Sequence, residues 1–402
     1  MSKAEKDLYR LIHPATFRFY DPWLQTLKEN MGHERLLAVN GRHPDGSVDF
    51  RVRYKDSTVE SLEDFNNNVA IVPIWPIGMA GYSHREVQMM ILETFDAVTN
   101  PIQDKTIINR GIAISPYYGG RSDHPSTTID GQIVSGESLS ARLFPKLLAA
   151  SGCNELITLD IHSDKATDLI CKANIEHLNI TALPDFVDDL FNNKIITKDT
   201  LNKVRVACLD YGSLQRNILL TLLLGLDPKE TVAVFDKSRD IRGEIIMEMV
   251  YPDRSDFFEN TTVLSADDLG DTLGSALNLT NYIEMSGARE LHFLATHGVL
   301  SHPALDNLDL IRRTSVFQGL HVTDSLPFAL FDYEGEPGVR VIEPSTAKLF
   351  SEIVPAVIEY GAKKIANNPN ILSQTPYEHL IPYILNPKDK EQVMKDFLNN
   401  KY

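Results

Sequence analysis

A chain of 402 residues, 43% hydrophobic and 23% charged, has the length of two or three domains and the composition of a globular protein, which excludes a disordered or fibrous one. Its formal net charge of −16 argues against a nucleic-acid surface, which needs a clustered basic face, yet leaves room for phosphate-bearing small molecules held by local cations, amides or a metal. Three scattered cysteines, Cys153, Cys171 and Cys208, fit a reducing compartment; without an apolar signal core or a run long enough for a bilayer, a soluble cytoplasmic protein with no membrane or nucleic-acid partner is expected.

In chain order, residues 1–36 hold polar fragments and aromatics without a motif and read as an N-terminal extension. From "VAIVPIW" (69–75) a rhythm begins, in which short β-rich apolar runs alternate with longer amphipathic stretches. That is the pattern of a parallel sheet covered by helices. The later runs are "RGIAISPYY", "ELITLDIHS", "VRVACLDYGS", "TVAVFDKSR", "TTVLSADD" and "ELHFLATHG"; "HREVQMMILETFDAVT" and "GESLSARLFPKLLAASG" are helix candidates, the second closing on Gly152 as capped helices do. The rhythm restarts after "TDLICKANIEHLNITALPDF" (167–186), the expected domain boundary. No internal repeat or low-complexity linker is visible.

Parallel α/β sheets bind ligands beyond the carboxyl ends of their strands. Here those ends carry Arg121, Asp123 and His124; Asp160 and His162; Asp210; Lys237 and Arg239; Asp267 and Asp268; Thr296 and His297. In "TVLSADDLGDTLGSALNL" a strand runs into Asp267-Asp268, and a helix begins near Gly274-Ser275. Amides at that helix start, with the Thr272 and Ser275 hydroxyls, suit a phosphate, and the two acids suit sugar hydroxyls or a divalent cation. A plain strand–turn–helix connection with Asp caps explains the stretch equally well. Lys237 and Arg239, two residues apart, leave an extended backbone on the same side and are either transition-state cations or solvated charges. Asp160 and His162 are either cation ligands or a capping acid and a surface histidine.

"DDLGDTLGS" resembles the ribose-phosphate loop of the type I phosphoribosyltransferase fold. "GARELHFLATHGVLSHPA", "GESLSARLFPKLLAASGCNELITLDIHS" and "SPYYGGRSDH" are similar, in order and spacing, to segments of the ribose-phosphate diphosphokinases (phosphoribosyl pyrophosphate synthetases). The chain resembles a divergent member of that family over roughly residues 37–363. The resemblance implies an α/β fold of two stacked phosphoribosyltransferase-type domains, each with a mostly parallel sheet. Residues 37–178 and 179–345 would form them, with a C-terminal helix and tail at 346–402 packing on the first.

It also implies a Mg²⁺-dependent transferase of nucleotide biosynthesis, usually a homo-oligomer, that moves a diphosphoryl group from ATP to ribose 5-phosphate and releases AMP. In that reading Lys237 and Arg239 are catalytic. Arg121, Asp123, His124 and, across a subunit interface, Asp45 bind ATP, and His162 and Asp210 hold the metal. Asp267, Asp268, Asp271, Thr272, Leu273, Gly274 and Ser275 seat the acceptor. The sequence departs from the family at Gly119-Gly120, which lengthens a loop, at His124, at His43 and Ser47 of "NGRHPDGSVDF", and at Leu273, where a small residue is usual. Leu273, the altered Asp-Gly-Ser segment and the two terminal extensions keep open a larger 5′-substituted acceptor such as ADP-ribose; the second alternative is a catalytically silent regulatory subunit, against which stand Lys237, Arg239 and His162.

Overall fold

A computed structural model describes residues 9–14, 21–32, 35–42, 48–54, 57–58, 68–78, 83–99, 108–119, 128–129, 132–133, 140–239, 245–326, 337–385 and 397. Asp45, Arg121, Asp123 and His124 lie outside the described residues. The chain divides into two compact units, Met1–Ile180 with Ser345–Ile384, and Thr181–Pro344 with Leu385–Tyr402.

The first unit is built on β1 (Tyr9–Pro14), β2 (Arg35–Arg42), β3 (Val48–Tyr54), β4 (Ser57–Thr58), β5 (Asn68–Pro73), β6 (Ile108–Ser115), β9 (Cys153–Leu159) and β10 (Glu176–Ile180). A small ribbon pairs β7 (Thr128–Ile129) with β8 (Gln132–Ile133). The large sheet runs β10-β9-β6-β5-β1-β2-β3-β4; the ladders from β10 to β2 are parallel, and β3 and β4 turn back antiparallel.

The stretch expected as an N-terminal extension therefore supplies an interior strand. β1 lies between β5 and β2, with Leu11 and Ile12 both fully buried. Consecutive buried residues are what a parallel strand covered on both faces requires, but two apolar residues are too short a run to announce one.

Helix α1 (Asp21–Met31) continues that segment. Trp23 donates from Nε1 to Thr346 Oγ1 at 2.9 Å and packs edge-on against Trp75 and Phe350, with ring centroids 5.0 and 5.8 Å away. Helix α2 (His84–Thr99) buries Val87, Met90, Ile91, Phe95 and Val98, a stripe at helical spacing. Its start is a capping box: Glu86 N donates to Ser83 Oγ and Ser83 N to Glu86 Oε2, at 3.3 and 2.8 Å. Helix α3 (Ser140–Ala150) ends at Gly152, whose φ of +100° and whose contact with Thr99, 1.9 Å from where a Cβ would stand, admit only glycine. Helix α4 is Asp164–Lys172.

The C-terminal helix Thr346–Tyr360 belongs to this unit as well. Arg110 of β6 donates to Ile358 O and Val357 O, both at 2.7 Å, and so ties the last turn of the helix to the sheet. Glu155 of β9 pairs with Arg110 and accepts from Ala362 N at 2.9 Å.

The second unit contains β11 (Val204–Cys208), β12 (Val232–Arg239), β13 (Ile245–Tyr251), β14 (Thr262–Gly270), β15 (Glu290–Gly298), β16 (Phe317–Val322) and β17 (Val339–Val341), in the order β13-β12-β11-β14-β15-β16-β17. Only β13 runs antiparallel. Helices α5 (Leu183–Asn192), α6 (Leu214–Leu223), α7 (Gly274–Met285) and α8 (Ala304–Ile311) accompany it. Phe235, Phe257, Phe258, Leu279, Ile283 and Leu308 are among the buried side chains of its core. Among the described residues, no helix is long and apolar enough to cross a membrane.

The chain leaves β11 on one side for β12 and β13, then returns to the other side for β14. That reversal is a topological switch point, where a crevice opens beyond the strands' carboxyl ends.

Both tryptophans, Trp23 and Trp75, lie in the first unit, so tryptophan fluorescence follows its unfolding. Phe350, fully buried against Trp23, ties the C-terminal helix to that unit. Phe350→Ala is expected to cost about 3–5 kcal/mol and to lower the denaturant midpoint of the fluorescence transition. An unchanged midpoint would show that this helix does not stabilise the unit.

Candidate functional site

Three carboxylates meet at the switch point of the second unit. Asp210 follows β11 in a tight turn: Ser213 N donates to Asp210 Oδ1 at 3.1 Å, and Ser213 Oγ to Asp210 O at 3.0 Å. Asp267 and Asp268 stand near the end of β14, and Asp268 N donates to Asp267 Oδ1 at 2.9 Å. The half-buried Asp267 carboxyl is pushed up to about 8, by loss of solvent first and then by the charges of Asp268 and Asp210, with Arg216 pulling the other way. A site that crowds carboxylates enough to hold a proton at neutral pH carries an excess of negative charge.

Beyond β14 the chain turns through Gly270–Leu273 into α7. The turn is anchored from the segment after β15: Leu300 N donates to Gly270 O and Asn307 Nδ2 to Thr272 O, both at 2.8 Å, and Ser301 Oγ donates to Asp271 Oδ1. Leu273 is the N-cap of α7, in the left-handed region at φ 60° and ψ 12°, and makes no side-chain cap hydrogen bond. That backbone costs roughly 1–3 kcal/mol in a residue other than glycine. The Leu273 side chain is buried in the core, and burying a leucine contributes about 1.5–3 kcal/mol, enough to hold the turn in place.

The amides at the start of α7 have no intrahelical acceptors and carry the positive end of the helix dipole. They line a cavity of about 150 Å³, walled by Asp267, Asp271, Thr272, Leu273, Gly274 and Ser275 and floored by Leu209, Phe293 and Leu320. Carboxylates at one end and helix amides at the other let one small ligand present hydroxyls or a cation to the first and an anion to the second. Asp267, Asp271, Thr272, Leu273, Gly274 and Ser275 thus line one cavity, and Asp268 adjoins it on β14.

The remaining expected site residues are placed differently. Lys237 and Arg239 sit within β12, where the backbone pairs Lys237 with Met247 and Arg239 with Ile245. The extended backbone expected there is present, and it continues as strand because β13 folds back on it; of these two residues only the backbone is described.

In the first unit, His162 is exposed just past β9. It follows the fully buried Asp160, whose φ is 41°, and precedes Ser163, the cap of α4, which accepts from Ala166 N at 3.1 Å. Among the described residues, no three His, Cys, Asp or Glu side chains form a metal-ligand group. His297 is buried beside Ser325, with Nδ1 2.8 Å from the hydroxyl, and braces the end of β15 rather than facing the cavity. The sequence reading passed over Arg216 and Asn217, although Asn217 opens "NILLTLLLGL", where a polar side chain in so apolar a helix is itself a signal.

No model of a protein family matches the chain. It is 26% identical over 322 residues to ribose-phosphate pyrophosphokinase of Cereibacter sphaeroides, covering 80% of this chain and 85% of the relative. It is 26% identical over 247 residues to the ribose-phosphate pyrophosphokinase of Rhodopirellula baltica, covering 61% and 69%. The chain is thus a divergent relative of the ribose-phosphate pyrophosphokinases. Its fold matches the crystal structure of phosphoribosylpyrophosphate synthetase from Mycobacterium smegmatis with a TM-score of 0.61 at 19% identity, over 87% of this chain and 99% of the other.

The raised Asp267 carboxyl makes a prediction with a definite sign. The unfolded chain loses this proton near an ordinary pKa of about 3.9, whereas the folded chain keeps it up to about 8. Stability therefore falls as pH rises through that window. Thermal melting from pH 5 to 9 in chelator-treated buffer should show this fall in the wild type and a flatter dependence in Asp267→Asn. Equal slopes would contradict the assignment.

Proposed function

We propose that this chain transfers the β,γ-diphosphoryl group of ATP to the 1-hydroxyl of ribose 5-phosphate, giving phosphoribosyl pyrophosphate and AMP. The observation that carries the reading is the cavity itself: Asp267 near the end of β14, with Asp268 beside it, and a helix start at Gly274 without a side-chain cap share its surroundings, Asp267 and Gly274 both in its wall. Similarity to ribose-phosphate pyrophosphokinases supports the same reaction.

In this reading Asp267 and Asp268 accept hydrogen bonds from the ribose hydroxyls, and the amides of Thr272–Ser275 with the Thr272 and Ser275 hydroxyls hold the 5-phosphate. Both ends of the acceptor are then fixed, so its 1-hydroxyl is presented in one orientation, which removes much of the entropic barrier to attack. The oxygen attacks the β-phosphorus as the bond to the α-phosphate oxygen breaks. Lys237 and Arg239 place positive charge where the transition state spreads its negative charge. Arg121, Asp123, His124 and Asp45 hold the nucleotide.

The donor set suits a hard divalent cation. Burial first, and then the charges of Asp268 and Asp210, lead Asp267 to keep its proton; a cation would offset both, and Mg²⁺ is typically held through one or two carboxylates together with substrate phosphates. Asp210 and His162 are the residues of this chain assigned to it. When bound, Mg²⁺ would neutralise the ATP phosphates.

The test incubates purified chain with ATP, Mg²⁺ and either ribose 5-phosphate or ADP-ribose, and reads AMP and the 1-diphosphate product by mass spectrometry. The ADP-ribose arm answers to Leu273, a large side chain in the cavity wall. AMP formation with ribose 5-phosphate is expected, and Lys237→Ala should lower kcat by about 10²–10³-fold. Activity of the chain alone also rules out a silent subunit. No AMP with either acceptor overturns the proposal.

A further inference from the structure

Asn217 lies in the first turn of α6 and is fully buried. Its carboxamide is completely used. Nδ2 donates to Ser213 O at 2.8 Å and to Ala266 O at 2.9 Å, and Oδ1 accepts from Ala266 N at 2.8 Å. The two bonds to Ala266 have the donor-and-acceptor pattern of a neighbouring strand. They occur where such a neighbour is needed: the parallel pairing of β11 with β14 runs from Val204↔Thr262 to Val206↔Leu264, two residues short of Ala266. Asn217 takes over there and continues the ladder to the residue that precedes Asp267.

The second N–H of Nδ2, on Ser213 O, ties the carboxamide to the turn that carries Asp210. Ser213, which accepts from Asn217, closes the turn that carries Asp210 through bonds to Asp210 Oδ1 and Asp210 O. One side chain thus spans the switch point and joins the Asp210 turn to the Asp267 strand. Like charges drawn together at partial burial repel, so backbone segments that carry them spread unless something ties them.

We propose that Asn217 is a positioning residue that holds the Asp210 turn and the Asp267–Asp268 strand end at the separation the acceptor and its cation require. This rests on the function proposed above. Only a carboxamide of this length fits the task. Aspartate lacks both donors, glutamine is longer by one methylene, and an apolar side chain leaves the buried N–H and C=O of Ala266 without partners.

The test compares Asn217→Ala and Asn217→Asp with Thr221→Val, a change one helical turn on that removes the bond from Thr221 Oγ1 to Asn217 O and leaves the carboxamide's own bonds in place. Each folded protein is titrated with ribose 5-phosphate in Mg²⁺ by calorimetry, below its melting temperature. The Asn217 variants should bind about 10–100-fold more weakly, as removal of an outer-shell partner does elsewhere, while Thr221→Val binds like the wild type. If Asn217→Ala lowers the melting temperature but binds like the wild type, Asn217 is structural only and the inference fails.

Hydrogen exchange separates this result from failure of the proposed function. Should the wild type not bind ribose 5-phosphate, the acceptor assignment falls, yet the tie is still testable. Faster exchange in both 209–213 and 266–271 of Asn217→Asp, relative to Thr221→Val, supports it. Equal exchange in the two variants overturns it.

Discussion

Mutual repulsion among Asp210, Asp267 and Asp268 is the constraint around which the second unit is arranged. Burial of such a group normally costs stability, and Asp267 shows the cost directly by holding its proton up to about 8. A fold selected for stability alone would separate these groups or pair each with a cation. Among the described residues Arg216 pulls Asp267 toward the ionised form, and the Asp268 amide supplies it a hydrogen bond. The carboxamide of Asn217 then fixes the backbone on which two of the three stand. Strain of this kind is expected where a ligand completes the charge balance.

The opposite wall of the cavity is arranged by the same logic with the sign reversed. Helix α7 begins after Leu273 without a side-chain cap, and its first residues, Gly274 and Ser275, line the cavity. Leu273 makes the turn possible at the cost of a left-handed backbone, and its burial in the core repays that cost. The family usually has a small residue there. A leucine keeps the turn while moving the strain from the backbone alone to a balance of backbone and packing. Both ends of the cavity therefore draw on the core for geometry that the local chain would not adopt unaided.

Much of this was legible in the sequence. The runs "ELITLDIHS", "TTVLSADD" and "ELHFLATHG" became β9, β14 and β15 because doubly covered parallel strands need continuous apolar residues, and the helix start near Gly274 follows from the same loop. What escaped depends on contacts distant in sequence. β1 contributes only Leu11 and Ile12 to its interior position, too little for a periodic signal. β13 was missed because it is an edge strand defined by pairing with β12, which also carries β12 on through Lys237 and Arg239. Asn217 bonds a residue 49 positions away, and no local pattern predicts that.

The central claim is that one cavity reads both ends of a ribose phosphate, and a crystal structure of the chain soaked with ribose 5-phosphate tests it most directly. The account predicts the 5-phosphate on the amides of Thr272–Ser275 and the ribose hydroxyls on Asp267 and Asp268. A phosphate bound elsewhere, or a ribose with its hydroxyls turned away from the two carboxylates, would contradict it.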